Sequence, residues 1–136
     1  MEDIKSKVKL DWEEIERLVE VLAAKLTLKP KGIQNIYGCP RGGLIPAVLL
    51  SHKLGIPLIT DESKINGSTL IVDDICDTGD TFTKLATKHI TPNFAALHLR
   101  GGNLFPCIYA AEVINDWIVY PWENERADAI QDYLKV

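Results

Sequence analysis

Cysteine is scarce in this 136-residue chain, with three residues and no CxxC pair, so neither a disulfide framework nor a thiolate zinc site is indicated. No apolar stretch approaches the roughly 20 residues that a membrane-spanning helix needs. The opening segment MEDIKSKVKL lacks the apolar core of a signal peptide. Basic charge is also short: 15 Lys and Arg stand against 19 Asp and Glu, for a net charge of −4. That balance opposes general nucleic-acid binding, which depends on neutralising phosphates. Neither G-x-x-x-x-G-K-[ST] nor G-x-G-x-x-G occurs, which removes P-loop NTPases and dinucleotide-binding domains. Internal repeats, linkers and low-complexity segments are missing too. These absences describe a reduced, cytoplasmic protein with no membrane or nucleic-acid partner.

What is present suffices for one compact domain spanning 1–136: 46% apolar and 25% charged residues support a core, and the length is too small for two ordinary domains. Residues 11–28 place Ile15, Leu18, Val19, Leu22, Ala23 and Leu26 on one helical face. Asp11 with Glu14 three residues on resembles a capping box, and Lys29-Pro30-Lys31-Gly32 ends the helix. Strands and helices then alternate: a strand at 33–38, a tight loop Pro40-Arg41-Gly42-Gly43, a buried helix at 44–54 closed by Gly55, and a strand at 56–60. A polar loop (61–68) leads to a strand at 69–74, apolar on both faces and so central in a parallel sheet. A helix opens at Thr78, and a strand follows at 93–99. Segments 108–114 and 117–122 look extended, and 123–135 reads as a closing helix. This order predicts an α/β domain with a mainly parallel sheet flanked by helices.

The chemistry concentrates where the central strand ends. In LIVDDICDTGDT an apolar strand runs into four acids within eight residues, Asp73, Asp74, Asp77 and Asp80. Open α/β sheets place ligands at the carboxyl ends of such strands. Crowded carboxylates repel unless a metal ion or hydroxyl donors answer them. Asp77-Thr78-Gly79-Asp80-Thr81 turns into a helix N-terminus, whose amides, glycine and two hydroxyls make an anion cradle. Acids for hydroxyls beside amides for phosphate describe a sugar-phosphate site. A phosphoacceptor receiver domain could use the acid pair, but it leaves Arg41-Gly42-Gly43 and a Trp-rich C-terminal segment unexplained.

The segment resembles the phosphoribosyl-pyrophosphate signature of the type I phosphoribosyltransferases: four apolar residues, two acids, two variable residues, then Asp-Thr-Gly-x-Thr. Upstream, GCPRGGLIPAVLLSHKLGIPLI is similar to the pyrophosphate loop and helix of the xanthine-guanine branch. Downstream, WIVYPWE resembles that branch's purine-binding hood, and Leu10-Asp11-Trp12 also fits. The match covers roughly 8–125. It implies the type I phosphoribosyltransferase fold, Rossmann-like, with a small C-terminal hood near 100–125. It implies transfer of ribose 5-phosphate from phosphoribosyl pyrophosphate to a 6-oxopurine, with release of pyrophosphate, in purine salvage.

By this resemblance Asp73 and Asp74 hold the ribose hydroxyls directly or through Mg²⁺, an ion that prefers oxygen ligands. Asp77 is the general base or acceptor for purine N7. Backbone amides from Asp77 through Thr81, including Gly79 and Asp80, with the Thr78 and Thr81 hydroxyls, bind the 5′-phosphate. Arg41 has a planar fork suited to pyrophosphate, while Gly42 and Gly43 let amides approach it closely. A non-prolyl cis peptide is implied at Pro40-Arg41. Trp117 stacks on the purine, Ile118 offers backbone contacts to it, and Glu123 stands near a second metal ion. Trp122 is expected to pack.

Three departures from the family pattern matter. His98 stands where the branch carries a lysine reading the 6-oxo group, with Arg100 two residues on; either could donate to an oxo group, and a plain strand-end histidine is the alternative. The lid is reduced to Asp61–Ser68, so closure would come from elsewhere, such as a neighbouring subunit in a homodimer or homotetramer. Asp80 is unhelpful to a phosphate unless it points to solvent. Cys39, near a helix N-terminus and Arg41, is open to a lowered pKa, although inert thiols at Cys39 and Cys76 are the plainer reading. The rival function is a non-catalytic nucleotide- or phosphoribosyl-pyrophosphate-binding regulator of the same fold.

Overall fold

A computed structural model describes residues 6–28, 32–90 and 93–123. The expected helix stop at Lys29–Lys31, Pro92 and the closing helix after Glu123 lie outside the described residues. The chain begins with strand β1 (Lys7–Lys9) and helix α1 (Trp12–Leu28). The expected cap is present: Glu14 N donates to Asp11 Oδ1, and Asp11 N donates to Glu14 Oε1, both at 2.8 Å. Two orphan amides are thereby answered at the helix start. Ile15, Val19, Leu22, Ala23 and Leu26 are buried, as the 3.6-residue period requires.

Strand β2 (Asn35–Gly38) feeds helix α2 (Leu44–Leu54), which ends at Gly55 in the left-handed conformation (φ 68°). Then come β3 (Leu58–Ile59), a single 3-10 turn (Glu62–Lys64) and β4 (Thr69–Cys76). β4 runs two residues further than the expected 69–74, because Ile75 and Cys76 still pair with His98 and Leu99. Helix α3 (Asp80–Lys88), β5 (Phe94–Arg100), β6 (Ile108–Val113) and β7 (Trp117–Val119) complete the described order.

Five strands form one wholly parallel sheet in the order β3-β2-β4-β5-β6. Leu70 and Val72 of β4 pack with α1 and α2 on one face. Ile71 packs with Phe82 and Leu85 of α3 on the other. β4 is therefore covered on both faces, which is why Leu70, Ile71 and Val72 are apolar in succession. From β2 the chain leaves through α2 to β3 at the sheet edge. From β4 it leaves through α3 to β5 on the opposite side. The adjacent β2 and β4 thus flank a topological switch point, the place where open α/β sheets bind ligands.

A second, two-stranded sheet pairs β1 with β7 in parallel, with Val8 opposite Ile118. β1 carries no apolar alternation beyond Val8 and is legible only through this partner. The segment 61–68 is packed down: Ile65 is buried, Glu62 Oε2 accepts from His89 Nε2 at 3.0 Å and from Lys88 Nζ at 3.5 Å, and Asn66 N donates to Thr69 Oγ1 at 3.0 Å. No described helix is long and apolar enough to cross a membrane.

Candidate active site

The loops after β2 and β4 meet at the switch point. The Pro40–Arg41 peptide is cis, as the loop resemblance implies. Cys39 N donates to Val72 O, and Gly43 N to Cys39 O, both at 2.8 Å, which locks this loop onto β4. A Cβ on Gly43 would lie 2.5 Å from Val72 O and 2.8 Å from Cys39 N and O. A Cβ on Gly42 would strike the Asp74 carboxylate. Both glycines are therefore required by the close approach of the two loops, beyond any need of an anion. Arg41 is exposed at the loop tip.

On β4, Asp73 is half-buried and Asp74 is buried. Asp74 N donates to Asp73 Oδ1 at 2.8 Å, and Ile75 N to Asp74 Oδ1 at 2.7 Å. Next in the loop, Asp80 N donates to Thr78 Oγ1 at 3.2 Å. Gly79 takes φ 89° and is buried against Phe105 and Asn103, a conformation that favours glycine. Asp80 is exposed and Thr81 half-buried. The half-buried Asp77 accepts from Arg100 Nε at Oδ1 (2.9 Å), and its carbonyl accepts from Asn103 Nδ2 (2.8 Å).

β7 brings the C-terminal segment beside these loops. Trp117 is half-buried, and its N–H donates to Ser6 O at 2.8 Å. Ile118 turns its side chain into the core, and its backbone pairs with β1. Trp122 packs as expected, stacked on Tyr120 with centroids 4.9 Å apart and tilted against Trp12. Glu123 is exposed and closes a turn: its N–H donates to Tyr120 O at 2.9 Å, and its Oε1 accepts from Tyr120 N at 3.0 Å.

Both residues offered as readers of an oxo group already have partners within the fold. His98 is 5% exposed, and its Nδ1 lies 2.7 Å from Tyr120 Oη, which itself donates to Asp74 O at 3.1 Å. The phenol has one proton and gives it to Asp74, so His98 Nδ1 carries the proton of that contact. Burial, with the Arg100 cation second, pushes the ring down to about 4. A neutral ring with Nδ1 committed to Tyr120 leaves Nε2 to accept, an arrangement that suits the plain strand-end histidine among the two alternatives. Arg100 is engaged as well: besides Asp77, its Nη1 donates to Ile114 O at 3.0 Å and Asp116 O at 2.9 Å. Sequence pattern missed Tyr120 and Asn103 as well. Tyr120 is one of several aromatics inside WIVYPWE, and the local signal for Asn103 is the Gly101-Gly102 turn before it.

The thiols follow the plainer reading at Cys39, which burial and then the Asp73 and Asp74 carboxylates push well up. A hydrogen bond with Cys107 also raises Cys76, and the same contact lowers Cys107. Among the described residues no group of three or more His, Cys, Asp or Glu side chains could hold a metal ion. The Asp73 and Asp74 oxygens nevertheless fit Mg²⁺, which is commonly held by one or two carboxylates together with substrate oxygens.

No family model matches the chain. A xanthine-guanine phosphoribosyltransferase of Gluconobacter oxydans is 30% identical, with 83% of this chain and 82% of the relative covered. The crystal structure of a purine phosphoribosyltransferase from Pyrococcus horikoshii superposes with a TM-score of 0.67 at 32% identity, covering 93% of this chain and 99% of that one. A Neisseria gonorrhoeae protein with bound ppGpp shares the fold at a TM-score of 0.74 and 21% identity, covering 90% of this chain and 92% of that one. With relatives 30% and 32% identical covered over 82% and 99% of their lengths, and with both signature loops joined at one switch point, the chain belongs to the type I phosphoribosyltransferases, beside their xanthine-guanine members.

Proposed function

We propose that the chain transfers the 5-phosphoribosyl group from phosphoribosyl pyrophosphate to N9 of a 6-oxopurine and releases pyrophosphate. The convergence of the Arg41-Gly42-Gly43 loop with the Asp73–Thr81 segment carries the reading. A purine rather than another acceptor is supported by Trp117 beside the loops and by the names of the relatives at 30–32% identity. Asp73 and Asp74 hold the ribose hydroxyls and Mg²⁺. When bound, that ion supplies positive charge opposite the departing pyrophosphate. Amides of Asp77 through Thr81, including those of Gly79 and Asp80, with the Thr78 and Thr81 hydroxyls, take the 5′-phosphate. Arg41, with the Gly42 and Gly43 amides, takes the pyrophosphate. Asp77 accepts the proton at purine N7, Trp117 stacks on the ring, and the backbone at Ile118 borders it. Glu123 is assigned to the hood rim near a second Mg²⁺. Catalysis then comes from positioning and charge stabilisation of an oxocarbenium-like ribosyl centre. Because segment 61–68 is packed down, closure over that centre is assigned to a second copy of the chain in a homodimer or homotetramer. A cytoplasmic location goes with this reading.

One observation favours a second reading. The ppGpp-bound protein shares this fold, and the tied-down 61–68 segment suits a nucleotide-binding regulator. Guanine, hypoxanthine, xanthine and adenine are supplied in turn with phosphoribosyl pyrophosphate and Mg²⁺, and pyrophosphate release is followed. Faster turnover with adenine than with any 6-oxopurine sinks the proposed specificity. Tight ppGpp binding with no transfer to any base favours the regulator.

A further inference from the structure

The Arg100 guanidinium is a single rigid plane that touches two parts of the site. Its Nε donates to Asp77 Oδ1 at 2.9 Å, and its Nη1 to Ile114 O at 3.0 Å and Asp116 O at 2.9 Å. The arginine side chain is 16% exposed and Asp77 42%. Asp116 immediately precedes Trp117, and it is held from the other side by Ser6, whose Oγ donates to Asp116 Oδ1 at 3.0 Å. Trp117 N donates to Ser6 O at 2.8 Å. The carboxylate and the aromatic platform are therefore joined through one side chain at the end of β5. Gly101 N, the next amide, donates to Val113 O at 2.6 Å and fixes the same crossing.

We propose that Arg100 is a positioning residue that sets the Asp77 carboxylate against the Trp117 platform and makes no contact with the base. The proposal rests on the transfer reading above. A purine stacked on Trp117 presents N7 at a distance set by the ring, and proton acceptance needs Asp77 at that distance. Misplacement by about 1 Å can cost on the order of 10²-fold in rate. Lysine carries the charge but is a point donor on a flexible stem, and cannot span a carboxylate and two carbonyls in fixed geometry.

Arg100→Lys and Arg100→Gln, each made in the wild-type and Asp77→Asn backgrounds, test this. kcat, KM for the base and donor affinity by calorimetry are the readouts. Both single variants should lower kcat about 10²-fold and leave donor affinity within about threefold, with no rescue by lysine. In the Asp77→Asn background the same substitutions should cost less than about threefold more, because a residue acting through Asp77 has nothing left to position. Losses that multiply, full rescue by lysine, or donor affinity falling in step with kcat would each overturn the role. If the wild type transfers to no purine, the proposed function fails and Arg100's role fails with it. Wild-type transfer with multiplying losses sinks the Arg100 role alone.

Discussion

Tyr120 and Asp74 are joined across the molecule by a hydrogen bond from the buried phenol to the main-chain carbonyl of the second acid, at 3.1 Å. The phenol is also the acceptor for His98 Nδ1 at 2.7 Å. One hydroxyl thus links the turn after β7, the strand end of β4 and the middle of β5.

Removing that hydroxyl takes a hydrogen bond from the Asp74 carbonyl and the acceptor from a buried ring N–H. Tyr120→Phe is expected to destabilise the fold by about 1–3 kcal/mol. Urea denaturation at pH 7.5 measures it, and a loss near zero would mean that water replaces the phenol at no cost.

His98 makes stability depend on pH. Its folded pKa, about 4, lies below the ordinary value of 6.5 because burial, with Arg100 second, disfavours the imidazolium. The unfolded chain therefore takes up a proton first. The contribution is full above pH 6.5, falls as pH drops towards 4, and is constant below that. It amounts to roughly 3 kcal/mol. His98→Gln should flatten the pH 4–6.5 part of the stability curve relative to wild type; parallel curves would refute the assignment.

Gly42 has no room for a methyl group beside the Asp74 carboxylate. Gly42→Ala should push that carboxylate out of place and weaken donor binding by about tenfold or more, the equivalent of about 1.4 kcal/mol. Titration calorimetry with phosphoribosyl pyrophosphate and Mg²⁺ reads the loss, and unchanged affinity would remove Asp74 from the donor site.

The acids should separate by role. Asp77→Asn is expected to lower kcat by roughly 10²–10⁴-fold, with donor affinity changing far less, since the proposed hold on the 5′-phosphate is through backbone amides. Asp73→Asn combined with Asp74→Asn should instead weaken the donor first, and EDTA should mimic that loss. Wild-type kcat in Asp77→Asn, or donor binding indifferent to EDTA, would contradict these assignments.

The residues that local rules could read were those whose structure depends on near neighbours. The cap between Asp11 and Glu14 spans three residues, α2 ends where Gly55 can adopt φ 68°, and β4 announces its burial by being apolar on both faces. The acid pair, the Asp77–Thr81 turn and Arg41-Gly42-Gly43 are likewise contiguous, so their chemistry stands in the order of the letters. Tertiary structure alone decided the partners of His98, Arg100 and Tyr120. Those bonds join residues 14 to 46 positions apart. They depend on β5 lying beside β4 and on β7 pairing with the otherwise featureless β1. A histidine and an arginine two residues apart on one strand read from sequence as equivalent donors facing one base. Burial beside the Tyr120 phenol makes the histidine a neutral acceptor, and a carboxylate with two carbonyls engages the arginine, because side-chain chemistry is set by what the fold brings within 3 Å.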